Sequence, residues 1–262
     1  MVNIIVCMKQ ALDVAALKID PSTRAPVTIG VPRKISDFDK NAVEEAVQLK
    51  EKHGGTITVV TMGRPEATES IKETLAMGGD VGCLLTDPSF EGSDTLATSY
   101  VLAEGIKKLG DFDLIICGET SIDGFSSQIG PRLAERLNLP QITYVKSMSL
   151  DGDVVKAERD LEDGVQVVEA KIPLLVTVTN EINTPRLPSL MAILKASSKE
   201  IKTWSASDLG VPEDKVGSAG SAIEIIKVVA PETKRKNIII QDKPVEEAVE
   251  ELARAIVKEG VI

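Results

Sequence analysis

The sequence predicts a doubly wound α/β fold with a mostly parallel sheet, and two observations carry this prediction. Four short runs are apolar almost without alternation, as expected of strands that are buried on both faces of a parallel sheet. These runs are NIIVC (3–7), TITVVTM (56–62), VGCLLT (81–86) and DLIICG (113–118). Helical patterns separate the runs, and strands that alternate with helices imply right-handed crossovers.

Start and stop signals delimit four predicted helices. In the first, Ser36 followed three positions later by Asp39 indicates a capping-box variant, and Gly54 ends the helix after NAVEEAVQLKEK. The other three helices open at Pro65 and Glu66, at Ser93 and Asp94, and at IGPRLAERL, and they end near Met77, Leu109 and Asn138.

Beyond residue 140 the pattern changes. The segments QITYVKSMSL, VVKAERDL and VQVVEAKI alternate between apolar and polar residues, which predicts an antiparallel β-meander added to the sheet. One more apolar strand, LLVTVT (174–179), follows Pro173, and the signal then stays weak until an amphipathic helix at 245–260. We therefore expect an α/β domain at 1–180 and an extended C-terminal arm at 181–262.

The arm carries apolar residues that it cannot bury alone. Its segment NTPRLPSLMAILKASSKEIKTWSASDLGV contains prolines, several leucines and a methionine. A surface of this kind is buried on a partner, which makes the arm a candidate partner-binding element. The alternative is that the arm wraps around its own domain.

Composition and charge exclude several classes of protein. The chain has 262 residues, 43% hydrophobic and 27% charged, which is typical of an ordinary globular protein. Its formal net charge of -10 disfavours nucleic acid and anionic membrane surfaces as partners. No apolar segment approaches the ~20 residues that span a bilayer, so we expect no membrane insertion.

Cysteine and histidine usage narrows the chemistry. Cys7, Cys83 and Cys117 each lie inside an apolar run, which gives neither a disulfide framework nor a zinc spacing and suits a reducing cytoplasm. The one histidine, His53, lies in the last turn of a predicted helix, so Ser-His-Asp and Cys-His mechanisms are set aside. We expect a cytoplasmic protein without a metal site.

The loop after DLIICG is the candidate ligand site. Ligands of doubly wound sheets bind beyond the carboxyl ends of the strands, and this loop, at 118–131, is rich in hydroxyl, amide and glycine residues. It leads into a helix whose free N–H groups can hold a phosphate or diphosphate without any lysine. The alternative is a plain N-capped helix with a polar lead-in.

Geometry extends the candidate site to neighbouring strand ends. A nucleotide with its phosphates on this helix would direct its base toward Cys7, Met62 and the loop from Ser36 to Asp39. Cys7 would pack against the base rather than react. Neither GxGxxG nor GxxxxGK(S/T) occurs, which argues against a dehydrogenase-type dinucleotide fold and a P-loop enzyme.

The segment AERDLEDGVQVVEAKIPLLVT (157–177) resembles the signature of the β subunit of electron transfer flavoprotein. The matching features are basic Arg159, the acidic and glycine residues at 162–164, Gln166, and Pro173 followed by aliphatic residues and Thr177. VCMKQALD, NAVEEAVQLKEK and ETLAMGGD are similar to the family as well, and the resemblance covers nearly the whole chain.

The resemblance implies a Rossmann-like, adenine-nucleotide-binding domain that forms a heterodimer with an α subunit and passes electrons through flavin. In the family the β subunit holds AMP or, in the electron-bifurcating branch, FAD. Carried over by position, the nucleotide-binding residues are Cys7, Ser36, Asp37, Phe38, Asp39, Met62, Gly118, Glu119, Thr120, Ser121, Ile122, Asp123, Gly124, Phe125, Ser126, Ser127, Gln128 and Ile129. Arg159 and Asp160 match positions that face the α-subunit flavin, and a simple ion pair between them is the alternative.

The run from Asp123 to Pro131 favours the FAD-binding branch. Bifurcating members carry Asp-Gly-Asp-Thr-Ala-Gln-Val-Gly-Pro here, and this chain departs from that run at Phe125 and Ser127 and has Glu119 where a basic residue is common. This branch implies that NADH reduces the β-bound FAD, that one electron goes to ferredoxin or flavodoxin, and that the other goes through the α-subunit FAD to an acyl-CoA-type dehydrogenase. The alternative is a simple electron shuttle whose β subunit holds structural AMP.

The resemblance also gives the arm a docking role. Aligning PRLPSLMAILKA with the family's recognition loop makes Leu190 the anchor for the dehydrogenase, flanked by Met191, Ile193, Leu194 and Lys195. Rival classes fit less well. A universal-stress-type nucleotide-binding regulatory module would lack the meander, the arm and the signature, and an ATP-pyrophosphatase would need a Ser-Gly-Gly-x-Asp-Ser loop where this chain reads MKQALD.

Overall fold

A nine-stranded sheet runs through the part of the chain that the computed structural model describes, residues 1–232 and 235–260. In chain order the strands are β1 (Val2–Cys7), β2 (Gln10–Leu12), β3 (Lys18–Ile19), β4 (Pro26–Val27), β5 (Arg33–Ile35), β6 (Gly55–Met62), β7 (Val81–Leu85), β8 (Leu114–Gly118), β9 (Gln141–Asp151), β10 (Val154–Leu161), β11 (Gly164–Lys171), β12 (Leu174–Val178) and β13 (Ile201–Trp204). The α-helices are α1 (Asp37–His53), α2 (Ala67–Met77), α3 (Thr95–Leu109), α4 (Ile129–Leu137), α5 (Leu190–Ala196), α6 (Ala206–Leu209), α7 (Gly217–Gly220) and α8 (Val245–Lys258).

The strand order in the sheet is β11-β10-β9-β12-β8-β1-β6-β7-β13. Every neighbouring pair from β9 across to β13 is parallel, and β10 and β11 add the antiparallel meander. The predicted doubly wound, mostly parallel α/β fold with an added β-meander is confirmed. Two small antiparallel ribbons, β2 with β5 and β3 with β4, lie between β1 and α1 and were not predicted.

Successive residues of the central strands point into opposite layers of the molecule. Ile4 of β1 and Ile116 of β8 pack in one core with α1 and α2, whereas Ile5 and Ile115 pack in a second core with α3 and α4. All four side chains are at most 4% exposed. Burial on both faces is why these strands are apolar without alternation.

The capping box predicted for the first helix is wrong. Ser36 occupies the N-cap position of α1 without capping it, and its Oγ instead accepts a hydrogen bond from the Ile122 N–H. The Asp39 carboxylate likewise accepts from the N–H groups of Lys9 and Gly118. Because the start of α1 lies against the ends of β1 and β8, both side chains bond these neighbours instead of their own helix.

Of Ser93 and Asp94, which were predicted to open α3, only Asp94 caps the helix. Asp94 accepts from the N–H groups of Leu96 and Ala97 and is the cap. Ser93 donates to the Phe90 carbonyl and accepts from the Gly217 N–H, so it bonds residue 217 of the arm to the α/β domain.

The arm predicted after residue 180 is only partly free of the α/β domain. β13 pairs with β7 at the edge of the sheet, so the expectation of an extended arm was wrong for this strand. β13 is a short edge strand that is not fully buried, and its sequence IKTW therefore carries no apolar run. Within the described residues, 222–244 contain no helix or strand. The domain boundary at 180 stays a prediction.

The predicted C-terminal helix is present as α8, and its apolar face is uncovered. Val245, Val249, Leu252 and Val257 are between 52% and 73% exposed. No helix in the described part of the chain combines the length and apolar composition that a membrane crossing requires.

Candidate functional site

The candidate site lies at the carboxyl ends of β1, β6 and β8, where the loop at 118–128 leads into α4. Gly118 ends β8 directly against the start of α1. A Cβ at this position would lie 2.5 Å from Asp39 Oδ1 and 2.8 Å from Phe38 Cβ. Only glycine therefore lets the loop start this close to α1.

Asp39 joins three elements beneath the loop. Its side chain is buried, Oδ2 accepts from the Lys9 N–H at 2.8 Å, and Oδ1 accepts from the Gly118 N–H at 3.2 Å. Burial raises the pKa of Asp39 to about 7, against the opposing effect of these two hydrogen bonds. The carboxyl group thus fixes the ends of β1 and β8 to α1.

Hydrogen bonds within the loop hold it in a tight conformation. The Ser121 hydroxyl donates to Asp123 Oδ1 at 2.8 Å and accepts from the Gly124 N–H, and the Ser126 hydroxyl accepts from the Gln128 N–H. Phe125 and Ser127 have φ values of 46° and 52°, in the left-handed region that non-glycine residues seldom adopt.

Aromatic packing ties the loop to α1 as well. The rings of Phe38 and Phe125 meet edge to face, with centroids 6.1 Å apart and an interplanar angle of 89°. Phe125 is nonetheless 68% exposed, so one face of its ring remains open above the loop.

Lys9 reaches the loop, whereas the sequence predicted that the helix N–H groups hold a phosphate without any lysine. Its Nζ donates to Asp123 Oδ1 at 2.7 Å. Burial alone would raise the pKa of Asp123, but the hydrogen bond and charge of Lys9, with the bond from Ser121, outweigh it and lower that pKa. The signal that could have found Lys9 is its position just beyond β1, at the same sheet edge as the loop.

The loop contains one donor, and leads into others, that suit a phosphate group. Thr120 is 8% exposed, and its Oγ1 has no hydrogen-bond partner within the described part of the chain. The first N–H groups of α4, at Ile129 and Gly130, lie where a helix has no internal acceptor. A Cβ on Gly130 would lie 2.3 Å from Thr177 Cγ2, so α4 starts in close contact with β12.

Cys7 and Cys117 lie side by side at the strand ends beneath this loop. They are register partners in β1 and β8, and both are buried. A hydrogen bond with Cys7, together with burial, raises the pKa of the Cys117 thiol well above its usual value. The thiol therefore stays protonated and packs rather than reacts. Met62, at the end of β6, packs against the same core.

Two of the predicted site residues point elsewhere. Asp37 is exposed and pairs with Lys34 at 3.1 Å, on the ribbon side of α1. The Glu119 N–H donates to the Val178 carbonyl, and burial with the charges of Glu181 and Asp160 raises the pKa of its carboxyl group. The structure thus places Glu119 beside acidic residues rather than beside the loop's donors.

Arg159 and Asp160 do not pair with each other. The Arg159 guanidinium donates to the Thr143 carbonyl at 2.8 Å and to Gln166 Oε1 at 2.7 Å, and Asp160 accepts from Lys146 at 3.1 Å. The alternative of an ion pair between Arg159 and Asp160 is therefore wrong.

The predicted docking segment forms a short exposed helix, α5. Leu190, Met191, Ile193 and Leu194 are between 50% and 73% exposed, whereas Ala196 is buried against the domain. Lys195 is also exposed. The apolar side chains share one short helix and face solvent, as an anchor for a transient partner would.

Two cations fix the flanks of α5. Arg186 donates to Glu44 and Glu51 of α1 at distances from 2.6 to 3.1 Å. Lys199 donates to the carbonyl oxygens of Leu75 and Gly79 at the end of α2. An exposed apolar helix is thus held on a rigid base.

Comparison with known proteins gives one consistent family. The family model for the electron transfer flavoprotein domain matches residues 27–209. The chain is 46% identical over 246 residues to electron transfer flavoprotein subunit beta of Clostridium acetobutylicum, with 94% of each chain covered. It is 41% identical over 261 residues to the same subunit of Thermoanaerobacterium thermosaccharolyticum, with 99% of this chain and 100% of the relative covered. It is 36% identical over 261 residues to a subunit of the caffeyl-CoA reductase-Etf complex of Acetobacterium woodii, with 99% and 100% covered. The chain therefore belongs to the electron transfer flavoprotein family, as a β subunit.

Proposed function

We propose that this chain is the nucleotide-binding β subunit of an electron-bifurcating electron transfer flavoprotein and that FAD binds at the loop 118–129. Two observations carry the proposal: the buried hydroxyl of Thr120 has no partner in the described part of the chain, and no side chain caps the start of α4. Hydroxyl and N–H donors at a helix start are the groups that hold phosphates. This donor set fits the diphosphate of FAD, and it fits the phosphate of AMP as well.

The residues of the chain bind and orient the nucleotide. When bound, FAD supplies hydride acceptance and one-electron transfer, which is the chemistry of the cofactor. The hydroxyl groups of Thr120 and Ser126 and the first N–H groups of α4 donate to its phosphates. Cys7 and Met62 provide the apolar floor for the base. Asp39 holds that floor and the loop together.

One point favours FAD over AMP. The run from Asp123 to Pro131 resembles that of the bifurcating branch. On this proposal NADH is the electron donor, and ferredoxin or flavodoxin is the low-potential acceptor. An acyl-CoA-type dehydrogenase receives the other electron through the α-subunit FAD.

Uncovered apolar surfaces support partner binding by the arm. The α-subunit partner covers the exposed residues of 222–244 and the apolar face of α8 on this proposal, because Ile225, Ile226 and Ile239 are 77% to 92% exposed. The dehydrogenase docks on α5 with Leu190 as its anchor. Arg159 and Asp160 lie on the meander toward the α-subunit flavin.

The test is the nucleotide content of the co-expressed heterodimer. Acid extraction followed by chromatography counts FAD and AMP per heterodimer. Two FAD and no AMP are expected, and NADH should then reduce the β-bound flavin. One FAD with one AMP would replace the proposal by the simple shuttle with structural AMP.

Matched variants tie the nucleotide to this loop. Thr120→Val removes the unpaired hydroxyl at nearly constant volume and should lower the β-site nucleotide content after gel filtration. Thr56→Val makes the same change at the amino end of β6, where the Thr56 hydroxyl donates to Asn3 Oδ1, and should leave that content unchanged. Equal retention in both variants would contradict the assignment of the loop.

A further inference from the structure

The loop at 118–128 is acidic where an anion is expected to bind. Asp123 lies within it, and Asp39 lies beneath it. Two other cations have partners of their own: Lys34 is shared between Asp13 and Asp37, and Arg132 donates to Gln128 Oε1 at 3.2 Å. A phosphate group that enters such a loop meets like charge, which opposes its binding.

Lys9 is placed to cancel the charge of the loop carboxylate. Its main-chain N–H is bonded by the buried Asp39 at 2.8 Å, which fixes the position from which the side chain starts. Its Nζ then lies 2.7 Å from Asp123 Oδ1, the same oxygen that accepts from the Ser121 hydroxyl at 2.8 Å. The ammonium group therefore reaches the loop at its carboxylate, at a point where the turn is already held.

Asp123 has a structural task that explains why its charge is cancelled rather than avoided. Its bond with Ser121 closes the turn in which Ser121 also accepts from the Gly124 N–H. Removing the acceptor oxygen at this position would loosen the turn, whereas pairing the carboxylate with a cation keeps the turn and lowers the negative potential.

We propose that Lys9 is a positioning residue that makes this acidic loop able to accept a phosphate group, by neutralising Asp123 rather than by binding the phosphate itself. The inference rests on the proposed function, because it concerns the same nucleotide. Lys9 lies outside the set of residues that the family resemblance assigns to the nucleotide.

The test is a charge-swap cycle on the heterodimer from which nucleotides have been removed. AMP and adenosine are the probes, titrated by calorimetry at low salt. Lys9→Met should weaken AMP binding about tenfold, as expected for one uncompensated charge near the phosphate. It should leave adenosine binding within about twofold, since adenosine carries no phosphate. Lys9→Met combined with Asp123→Asn should restore AMP binding to within about threefold of the wild type.

Controls separate this role from others. Lys40→Met removes a lysine from α1 that pairs with Glu73 and should not change AMP binding. A double variant as weak as Lys9→Met would overturn the inference, because it would show that Lys9 acts on the phosphate directly. Equal loss of AMP and adenosine would overturn it in favour of a purely structural role. A wild-type heterodimer that binds neither AMP nor FAD would instead remove the proposed function, and the inference with it.

Discussion

Replacing Arg186 by methionine should destabilise the protein by about 2 kcal/mol, because it strips a buried carboxylate of its cation. The Arg186 guanidinium donates hydrogen bonds to Glu44 through Nε and Nη2 and donates to Glu51 as well. The Glu44 side chain is only 5% exposed, whereas that of Arg186 is 35% exposed. Breaking a fully buried pair costs about 3–5 kcal/mol, and the exposure of Arg186 lowers that figure.

The remaining contacts of Glu44 support this reduced value. Gln48 still donates to Glu44 Oε1 after the substitution, and the main-chain N–H of residue 186 still donates to Oε2. For a chain of this size, about 2 kcal/mol corresponds to a fall in Tm of about 5 °C.

The pH dependence of this effect has a definite sign. Burial raises the pKa of Glu44, but the hydrogen bonds from Arg186 and Gln48 and the charge of Arg186 outweigh burial, so the net shift is downward. A depressed folded-state pKa contributes stability above the ordinary value of 4.5 and loses it as the pH falls through the folded value. The difference between wild type and Arg186→Met should therefore be full at neutral pH and shrink below about pH 4.5.

Thermal unfolding of the heterodimer, followed by circular dichroism at several pH values, measures this difference. Arg254→Met is the matched control, since Arg254 pairs with Glu250 on an exposed face of α8 with side chains 81% and 71% exposed. Its Tm should change by less than about 1 °C. Glu44→Gln in the Arg186→Met background should recover part of the loss, because no buried charge remains. A shift for Arg186→Met no larger than that of the control would refute the reasoning.

Three further predictions concern the site and the arm. Burial raises the pKa of Asp39 from 3.8 to about 7, so the wild type should lose stability as the pH rises between those values. Asp39→Asn should lack this loss when Tm is measured at pH 5 and at pH 7.5. Parallel changes of Tm in the two proteins would contradict the raised pKa. Leu190→Ala should lower electron delivery to the dehydrogenase about tenfold in a coupled assay while nucleotide content stays constant, and unchanged delivery would rule out the docking role. Gly130→Ala places a Cβ 2.3 Å from Thr177 Cγ2 and should cost about 1–3 kcal/mol by thermal unfolding, with partial rescue by Thr177→Ser; a neutral Gly130→Ala would refute the close contact.

The central strands could be predicted from the sequence because burial on two faces leaves a strong local pattern. Ile4 and Ile5, which pack in opposite layers, must both be apolar, and the same holds for Ile115 and Ile116. β13 could not be predicted, because an edge strand pairs on one side and its residues IKTW need no apolar run. Tertiary pairing, not local propensity, makes it a strand.

The candidate site also has parts that the sequence predicts and parts that it does not. The loop at 118–128 is one continuous segment, so its hydroxyl and glycine content made it predictable. The partners of Lys9 and Arg186 are distant in sequence: Lys9 and Asp123 are separated by 114 positions, and Arg186 and Glu44 by 142. For Ser36 and Asp39 the sequence predicted a local contact that the structure does not have. Their spacing matched a local cap, but the ends of β1 and β8 offered competing N–H donors that only the fold brings near.

Helix α1 connects the two functional regions that the chain is proposed to have. Asp39 in its first turn holds the loop at 118–128, and Glu44 and Glu51 farther along it hold Arg186, four residues before α5. At ~1.5 Å per residue, Glu44 lies about 8 Å and Glu51 about 18 Å along the axis from Asp39. One helix therefore sets the position of α5 relative to the loop at 118–128. Loosening Arg186 should consequently disturb docking while the loop, which Asp39 holds independently, keeps its nucleotide.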